Sequence, residues 1–439
     1  MPGFVTHRRG RFHLHVLATS QFRTRYLDVK LARPLARHHV TATALLPYLW
    51  LEGTASLPNM RALMRRADDL YGAMVRTGAG KKGDRQVIEA YASVPEERAL
   101  RGADGLFDAA AALLTEVITA PAIAGDGFVP EHVEKEKVLH RKRIESIRDD
   151  KIQYAMERCL ESVCSGHPHG LPRLGYLEDL AHLSGSTLWQ EHRALLASAD
   201  VHVYAIGAFA DEGRMAEALL GRLLSAFSPF AAEVRAHAAP PVTALSPRGS
   251  EVRHVVEHQP VQQGKLNLGF RTGVSYASPD YPALLVANAV LGGSPTSKLF
   301  VNVREKASLA YYASSRLDGL SGVLMVQTGI DAGKYDQALA IICAQVEALK
   351  AGEVSEQELA FAKRGLRNQF LQLGDQPLSL ADIHFSGALA GVHREVDDLL
   401  QALEAVTRAD VTRVAQSLAL DTIYFLRSEE VGVHAGDPV

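Results

Sequence analysis

The sequence predicts an α+β fold built twice along one chain, and two observations carry that reading. Elements run strand, strand, helix, helix, strand, strand, helix, helix through the N-terminal half, and the same order begins again after a proline-rich break. Ala44-Leu-Leu and Ala283-Leu-Leu each open an apolar stretch that closes on glycine. They lie 239 positions apart, the offset that also separates Leu70-Tyr-Gly from Leu309-Ala-Tyr. A constant offset across several elements is the mark of a duplicated unit of roughly 200 residues, a period far too long for a solenoid.

Each element has its own warrant. Residues 11–18 and 25–32 alternate apolar and polar, as half-buried strands do. Helical spacing takes over at 40–53 and at Met60, Leu63, Met64 and Leu70. Strands return at 73–77 and 86–94, followed by an alanine-rich helix at 106–118. A long charged helix opens at Pro130, in a first turn where a missing N–H is harmless. A strand at 201–206 and a helix at 215–227 end the first half. Residues 228–250 hold four prolines and no periodicity, the composition of a linker, and one longer than ordinary connections. Beyond it, strands fit 252–256 and 265–271, helices 281–291 and 297–306, strands 309–317 and 323–330, and helices 335–349 and 355–373. The expected division is therefore 1–227, a linker at 228–250, and 251–439, with the two halves able to close on each other around a chamber.

Composition excludes several function classes. With 50 acidic against 47 basic residues, no net field draws the chain to nucleic acid or to an anionic membrane. The start of the chain has no long apolar signal region, and no window approaches the roughly 18 apolar residues of a membrane span. Cys159, Cys164 and Cys343 are too few and too irregularly spaced for a disulfide framework or a cysteine zinc site. The expected location is the reducing cytoplasm.

Several local features read as structure. His13/His15, His38/His39, His167/His169 and His254/His258 come in pairs, and those two apart share a strand face. No acid or cysteine stands beside them at ligand spacing, so no second metal site is expected. Gly292-Gly293-Ser-Pro295 follows a helix and lacks Gly-Lys-Ser/Thr, so it reads as a helix end and turn, not a phosphate loop.

Arg304-Glu-Lys-Ala-Ser-Leu-Ala-Tyr311-Tyr312, preceded by Ser297-Lys-Leu-Phe300, closely resembles the C-terminal signature of the insulinase/pitrilysin family of inverted-zincin metallopeptidases. His167-Pro-His-Gly170 with Leu174-Gly175, and Leu180-Ala-His-Leu183 leading into Val201-His-Val-Tyr-Ala-Ile-Gly207, are similar to its N-terminal half, so the resemblance covers nearly the whole chain. It implies two homologous halves, each a mostly antiparallel sheet with helices packed on one face, forming a clamshell.

Active members carry His-x-x-Glu-His on a first-half helix just before a Gly-Thr pair. Two histidines four apart share a helix face and bind zinc, and the glutamate polarises the metal-bound water. Anchored on Gly53-Thr54, the motif falls on Ala44, Pro47 and Tyr48, none of them a match. The third ligand, a glutamate on the long helix, falls on Arg143, and a slip of two would offer Glu145 instead. A guanidinium repels a divalent cation, and Glu145 alone would not hold one. No zinc is expected in this chain.

What the resemblance keeps is the opposite side of the family's active site, Arg304 and Tyr311, seven apart. It gives the arginine a role in contacting substrate and the tyrosine a role at the oxyanion. Strand alternation sends Tyr311 and Tyr312 to opposite faces, so only one of them faces the chamber. Bacterial members often divide the work between a chain with the zinc motif and a chain with only the Arg/Tyr motif. This sequence is similar to the second kind, and most of all to the noncatalytic insulinase-like proteins associated with the 5-aminopentanol modification of elongation factor P. The resemblance thus implies a noncatalytic subunit, not a peptidase on its own, that pairs with a zinc-bearing homologue and a peptide substrate. Two other readings stay open: a structural or peptide-holding scaffold, and a stand-alone hydrolase built around His167 and His169.

Overall fold

The computed structural model describes residues 3–100, 104–230, 240–246 and 251–429, with the side chain of residue 99 left aside. The linker expected at 228–250 lies in large part outside the described residues.

Elements follow in chain order. The first are β1 (Val5–Arg9), β2 (Phe12–Ala18), β3 (Thr24–Pro34), α1 (Val40–Trp50), α2 (Met60–Asp69), β4 (Met74–Lys82), β5 (Arg85–Pro95) and α3 (Leu106–Thr119). A two-residue hairpin, β6 (Ile123–Ala124) and β7 (Gly127–Phe128), leads to α4 (Pro130–Asp149), α5 (Lys151–Val163), α6 (Gly185–Ser198), β8 (Asp200–Gly207) and α7 (Glu212–Phe227). The second series is β9 (Arg253–His258), β10 (Gly264–Arg271), α8 (Tyr281–Asn288), β11 (Ala310–Asp318), β12 (Val323–Ile330), α9 (Tyr335–Lys350) and α10 (Glu356–Leu373). It closes with α11 (Pro377–Ala390), α12 (Val396–Ala405), α13 (Arg408–Gln416) and β13 (Ala419–Arg427).

The duplication is visible in the pairing. The first sheet has the order β1-β2-β8-β3-β5-β4 and the second β9-β13-β10-β12-β11. Apart from the extra edge strand β1, the two orders are the same. In each, only the pair at the same end is parallel, β2 with β8 and β9 with β13, and the rest are antiparallel. The α+β reading with two mostly antiparallel sheets is borne out.

Period-two alternation fixes which face of each sheet is dry. In the first sheet Leu14, Val16, Leu27, Val29, Leu31 and Val203 enter a core closed by α1, α3, α6 and α7, with Trp50 fully buried. In the second, Leu266, Leu268, Leu324, Val326 and Phe425 face α8, α9 and α13. Local caps set several helix starts: Asn59 accepts from the Ala62 N–H, and Ser184/Thr187 and Thr407/Asp410 form capping boxes.

The compact units do not follow the linear division at two places. The first takes in Met1–Ser146, Gly166–Val242 and Leu371–Asp397, and the second Ile147–Ser165, Thr243–Phe370 and Asp398–Val439. So α5, from the N-terminal half of the sequence, belongs to the second unit, and α11, from the C-terminal half, belongs to the first. Each lies on the sheet face opposite the main core. Cys159 and Val163 of α5 pack on Met325, Tyr424 and Leu426, while His384 and Phe385 of α11 meet His15, His202 and Tyr204. Among the described residues no helix is long and apolar enough to cross a membrane.

Candidate functional site

The positions that the resemblance assigns to a zinc motif lie in the first unit. Ala44 and Tyr48 are one turn apart on α1, so they share a face, and Ala44 is fully buried. Pro47 is interior to α1, not in its first turn, and its carbonyl accepts from Thr77 Oγ1 on the edge strand β4. The helix continues to Trp50, whose indole N–H donates to His192 Nδ1 (3.1 Å) and anchors the C-terminal turn in the core.

On α4, Glu136, His140 and Arg143 are spaced four and three apart and form one stripe. The Arg143 guanidinium carbon lies 3.6 Å from the centre of the Tyr48 ring, and its Nη1 donates to Glu136 Oε2 at 3.0 Å. Glu136 is buried, so this ion pair compensates a carboxylate removed from water. His140 is buried too and its Nε2 meets the Leu174 carbonyl at 2.8 Å. Burial first, then the Arg143 charge, hold its pKa down against that hydrogen bond. Glu145 is exposed, so Arg143 and not Glu145 is the α4 residue that meets Tyr48. Glu136 and His140 were not singled out from the sequence, although their spacing before Arg143 was there to be read.

These residues do not fit zinc. An alanine and a tyrosine stand where the resemblance would place the two histidine ligands, a proline where it would place the glutamate, and a guanidinium stacked on the tyrosine puts a fixed positive charge beside them. Among the described residues no group of three or more His, Cys, Asp or Glu could hold a metal ion.

Arg304 and Tyr311 lie in the second unit, on its most irregular backbone. α8 runs on into a π-helical turn at Ala289–Gly293, and a second one spans Phe300–Lys306 and carries Arg304. Ser308 then takes a left-handed conformation (φ 50°), and the β11 register shifts between Ala310 and Ala313. Such turns and strained residues collect where a side chain has to be aimed. The helical run ends at Gly293 and turns at Ser294, as the sequence suggested. A Cβ on Gly292 would come within 2.5 Å of the Ser315 N, so glycine there also lets β11 approach.

Arg304 is exposed, rests on the Phe300 ring at 4.6 Å, and makes no ion pair among the described residues. Tyr311 is 78% exposed. Tyr312 turns the other way and covers Gly329, where a Cβ would come within 2.7 Å of its ring. Burial, then the charge of Asp150 at the start of α5, push its hydroxyl up to about 12. Of the two tyrosines, Tyr311 is thus the open one.

The histidine pair 167/169 has structural work. The His169 N–H donates to His167 Nδ1 at 3.2 Å, and the buried His169 ring is bonded to the Gly83 carbonyl. His254 and His258 lie exposed on the edge strand β9.

The family profile described as "Peptidase M16 inactive domain" matches residues 184–366. The "Probable inactive metalloprotease YmfF" of Bacillus subtilis is 34% identical over 96% of this chain and 97% of its own length. The "Uncharacterized zinc protease YmxG" of the same bacterium is 26% identical over 66% of this chain and 69% of its own. A crystal structure of a conserved protein from Enterococcus faecalis V583 superposes with a TM-score of 0.89 at 29% identity, over 97% of this chain and 99% of that one. This chain belongs to the insulinase/pitrilysin (M16) metallopeptidase family and sits beside relatives described as inactive.

Proposed function

We propose that this chain is the zinc-less, noncatalytic subunit of a heteromeric zinc peptidase. A zinc-bearing homologue supplies the metal and its water, and this chain supplies Arg304, Tyr311 and part of the wall around the peptide. The observation that carries the reading is the contrast between two places in one chain. The degenerate motif at Ala44, Pro47 and Tyr48 is closed off by the Arg143 guanidinium, while Arg304 and Tyr311 stand exposed on a strained segment. A scaffold has no need of an exposed arginine and an open tyrosine seven residues apart. Proteins of both descriptions, inactive and zinc-bearing, are similar to this chain within one bacterium, which supports the division of labour.

In this arrangement Arg304 binds a substrate carbonyl or carboxylate through its planar donor fork, and the Tyr311 hydroxyl donates to the oxygen on which negative charge develops. The peptide joins a sheet edge by backbone hydrogen bonds, which tolerate many sequences.

Mixing the purified chain with a zinc-motif homologue of the same organism tests this directly. Peptide cleavage should require both chains and fall about 100-fold or more with Arg304→Ala or Tyr311→Phe, the loss typical of a removed oxyanion donor. A homologue that cleaves at full rate alone would sink the proposal. Unchanged cleavage by the mixed variants would favour a scaffold.

A further inference from the structure

The face of the first sheet that α11 covers carries a cluster of titratable groups beside apolar ones such as Leu17. His13 and His202 are paired across β2 and β8, as are His15 and Tyr204, and Tyr204 is in turn paired with Asp28 on β3. Rings of His13 and His202 stack at 4.6 Å. Thr6 Oγ1 on β1 meets His15 Nδ1 at 2.9 Å, His15 Nε2 meets His202 Nδ1 at 3.1 Å, and the Tyr204 hydroxyl meets His384 Nδ1 at 3.2 Å. A cleft of about 280 Å³ opens beside them, bounded by His393 and Arg394 after α11.

This cluster is not a metal site. The centres of the His15 and His202 rings are 5.4 Å apart with planes 15° off parallel, which is the geometry of an in-line N–H···N bond. The two nitrogens point at each other, with a single proton between them, and not at a shared third atom. That bond survives only while at most one ring is charged.

We propose that α11 is an acid-released clasp: it stays docked on the first unit's sheet while the imidazoles of His15, His202 and His384 are neutral, and their protonation frees it. Every element around the cluster bears on its charge. β1 brings Arg8, β2 His13, and β8 Asp200. β3 brings Lys30, which is ion-paired to Asp28 (2.9 Å) and to Glu89 of β5. α11 brings Asp382, held by Lys82 at 2.7 Å, and His393 bonds Glu395 at 3.1 Å. Lys30 and Arg8 add positive charge, and the histidines add more to one another, so any imidazolium formed under α11 is repelled.

Burial, reinforced by these neighbours, lowers all four imidazoles: His202 to about 3 and His384 to about 4, with His13 and His15 also below the usual 6.5. Docked histidines therefore bind fewer protons than undocked ones, and docking weakens as pH falls below about 6.5. Asp28 acts the other way, because burial pushes its carboxyl up. One carboxyl offsets only part of what His15, His202 and His384 contribute, so the undocking constant rises more than about tenfold between about pH 7.0 and about pH 5.5. The companion helix α5 makes a useful control. It packs through Cys159 and Val163 on Met325, Tyr424 and Leu426, none of which titrates in that range.

Amide hydrogen exchange on the full chain at pH 7.0 and 5.5, corrected for intrinsic rates, tests the clasp. Protection of α11 should fall more than about tenfold while that of α5 holds. Equal protection of α11 at both pH values, or an equal loss in α5, overturns it. In His15→Gln/His202→Gln only one of the three histidines is left to oppose Asp28, so the pH dependence of α11 should flatten, and an undiminished dependence overturns the assignment. If that variant does not fold, the imidazole signals of the unaltered chain decide. Rings of His15, His202 and His384 still neutral at pH 5.5 support the clasp, and titration near 6.5 in the docked state removes its basis.

Discussion

Arg143 is the residue on which the first half turns. It stacks on Tyr48 and compensates the buried carboxylate of Glu136, so it holds α4 against α1 beside the positions that the resemblance assigns to a zinc motif. Arg143→Met should lower stability by about 1–3 kcal/mol in urea melts, chiefly because Glu136 is left buried without a partner. Arg143→Lys should recover only part of it, since an ammonium lacks the flat face and the fork. Restoring the motif on α1 alone would not be enough either. Ala44→His/Pro47→Glu/Tyr48→His should still purify with far less than one zinc per chain, and metal content should rise only when Arg143→Glu is added. A stoichiometric zinc in the triple variant would show that the guanidinium does not block the place.

At the scale of elements, the two helices that cross between units sit on their sheets by different chemistry. α5 relies on close apolar contact: a Cβ on Gly269 would come within 2.2 Å of Val163 Cγ2 and 3.3 Å of Met325 Sδ. Gly269→Ala should therefore cost about 1–3 kcal/mol by overpacking. Adding Val163→Ala should recover part of that loss, a non-additivity that a double-mutant cycle in thermal melts would read. α11 instead lies over hydrogen-bonded imidazoles and a tyrosine, which makes its docking depend on proton concentration. The same elements mark the reach of the sequence. The strands at 11–18, 25–32 and 86–94, the helices at 106–118 and 335–349, and the helix start at Pro130 were legible because one face of each is dry and the alternation or helical stripe records it. α5, α11 and β1 were not read. β1 is short and polar at an edge, and α11 covers histidines, so neither carries the pattern by which buried elements announce themselves.

For the whole molecule, the crossed helices make the linear halves incomplete. A fragment ending at residue 230 lacks α11, and one starting at residue 251 lacks α5, although the strand order of each sheet is intact. Neither fragment should show a cooperative thermal transition alone, and both together should recover one, measured by circular dichroism on separate and co-expressed pieces. Independent cooperative unfolding of either fragment would mean that its crossing helix is dispensable.

What the sequence by itself determined was the duplication, the α+β class, the family, and the absence of His-x-x-Glu-His before Gly53-Thr54. Each of these is written in residue identity or in spacing along one element, where neighbours are fixed by helix or strand geometry. Only the tertiary structure decided that Arg143 and not Glu145 meets Tyr48, that Tyr311 is the open tyrosine, and that His202 of β8 and His384 of α11 gather against His13 and His15. The reason is physical: these facts depend on which elements pack together, and a helix that crosses to the other unit leaves no periodic trace of the surface on which it will settle.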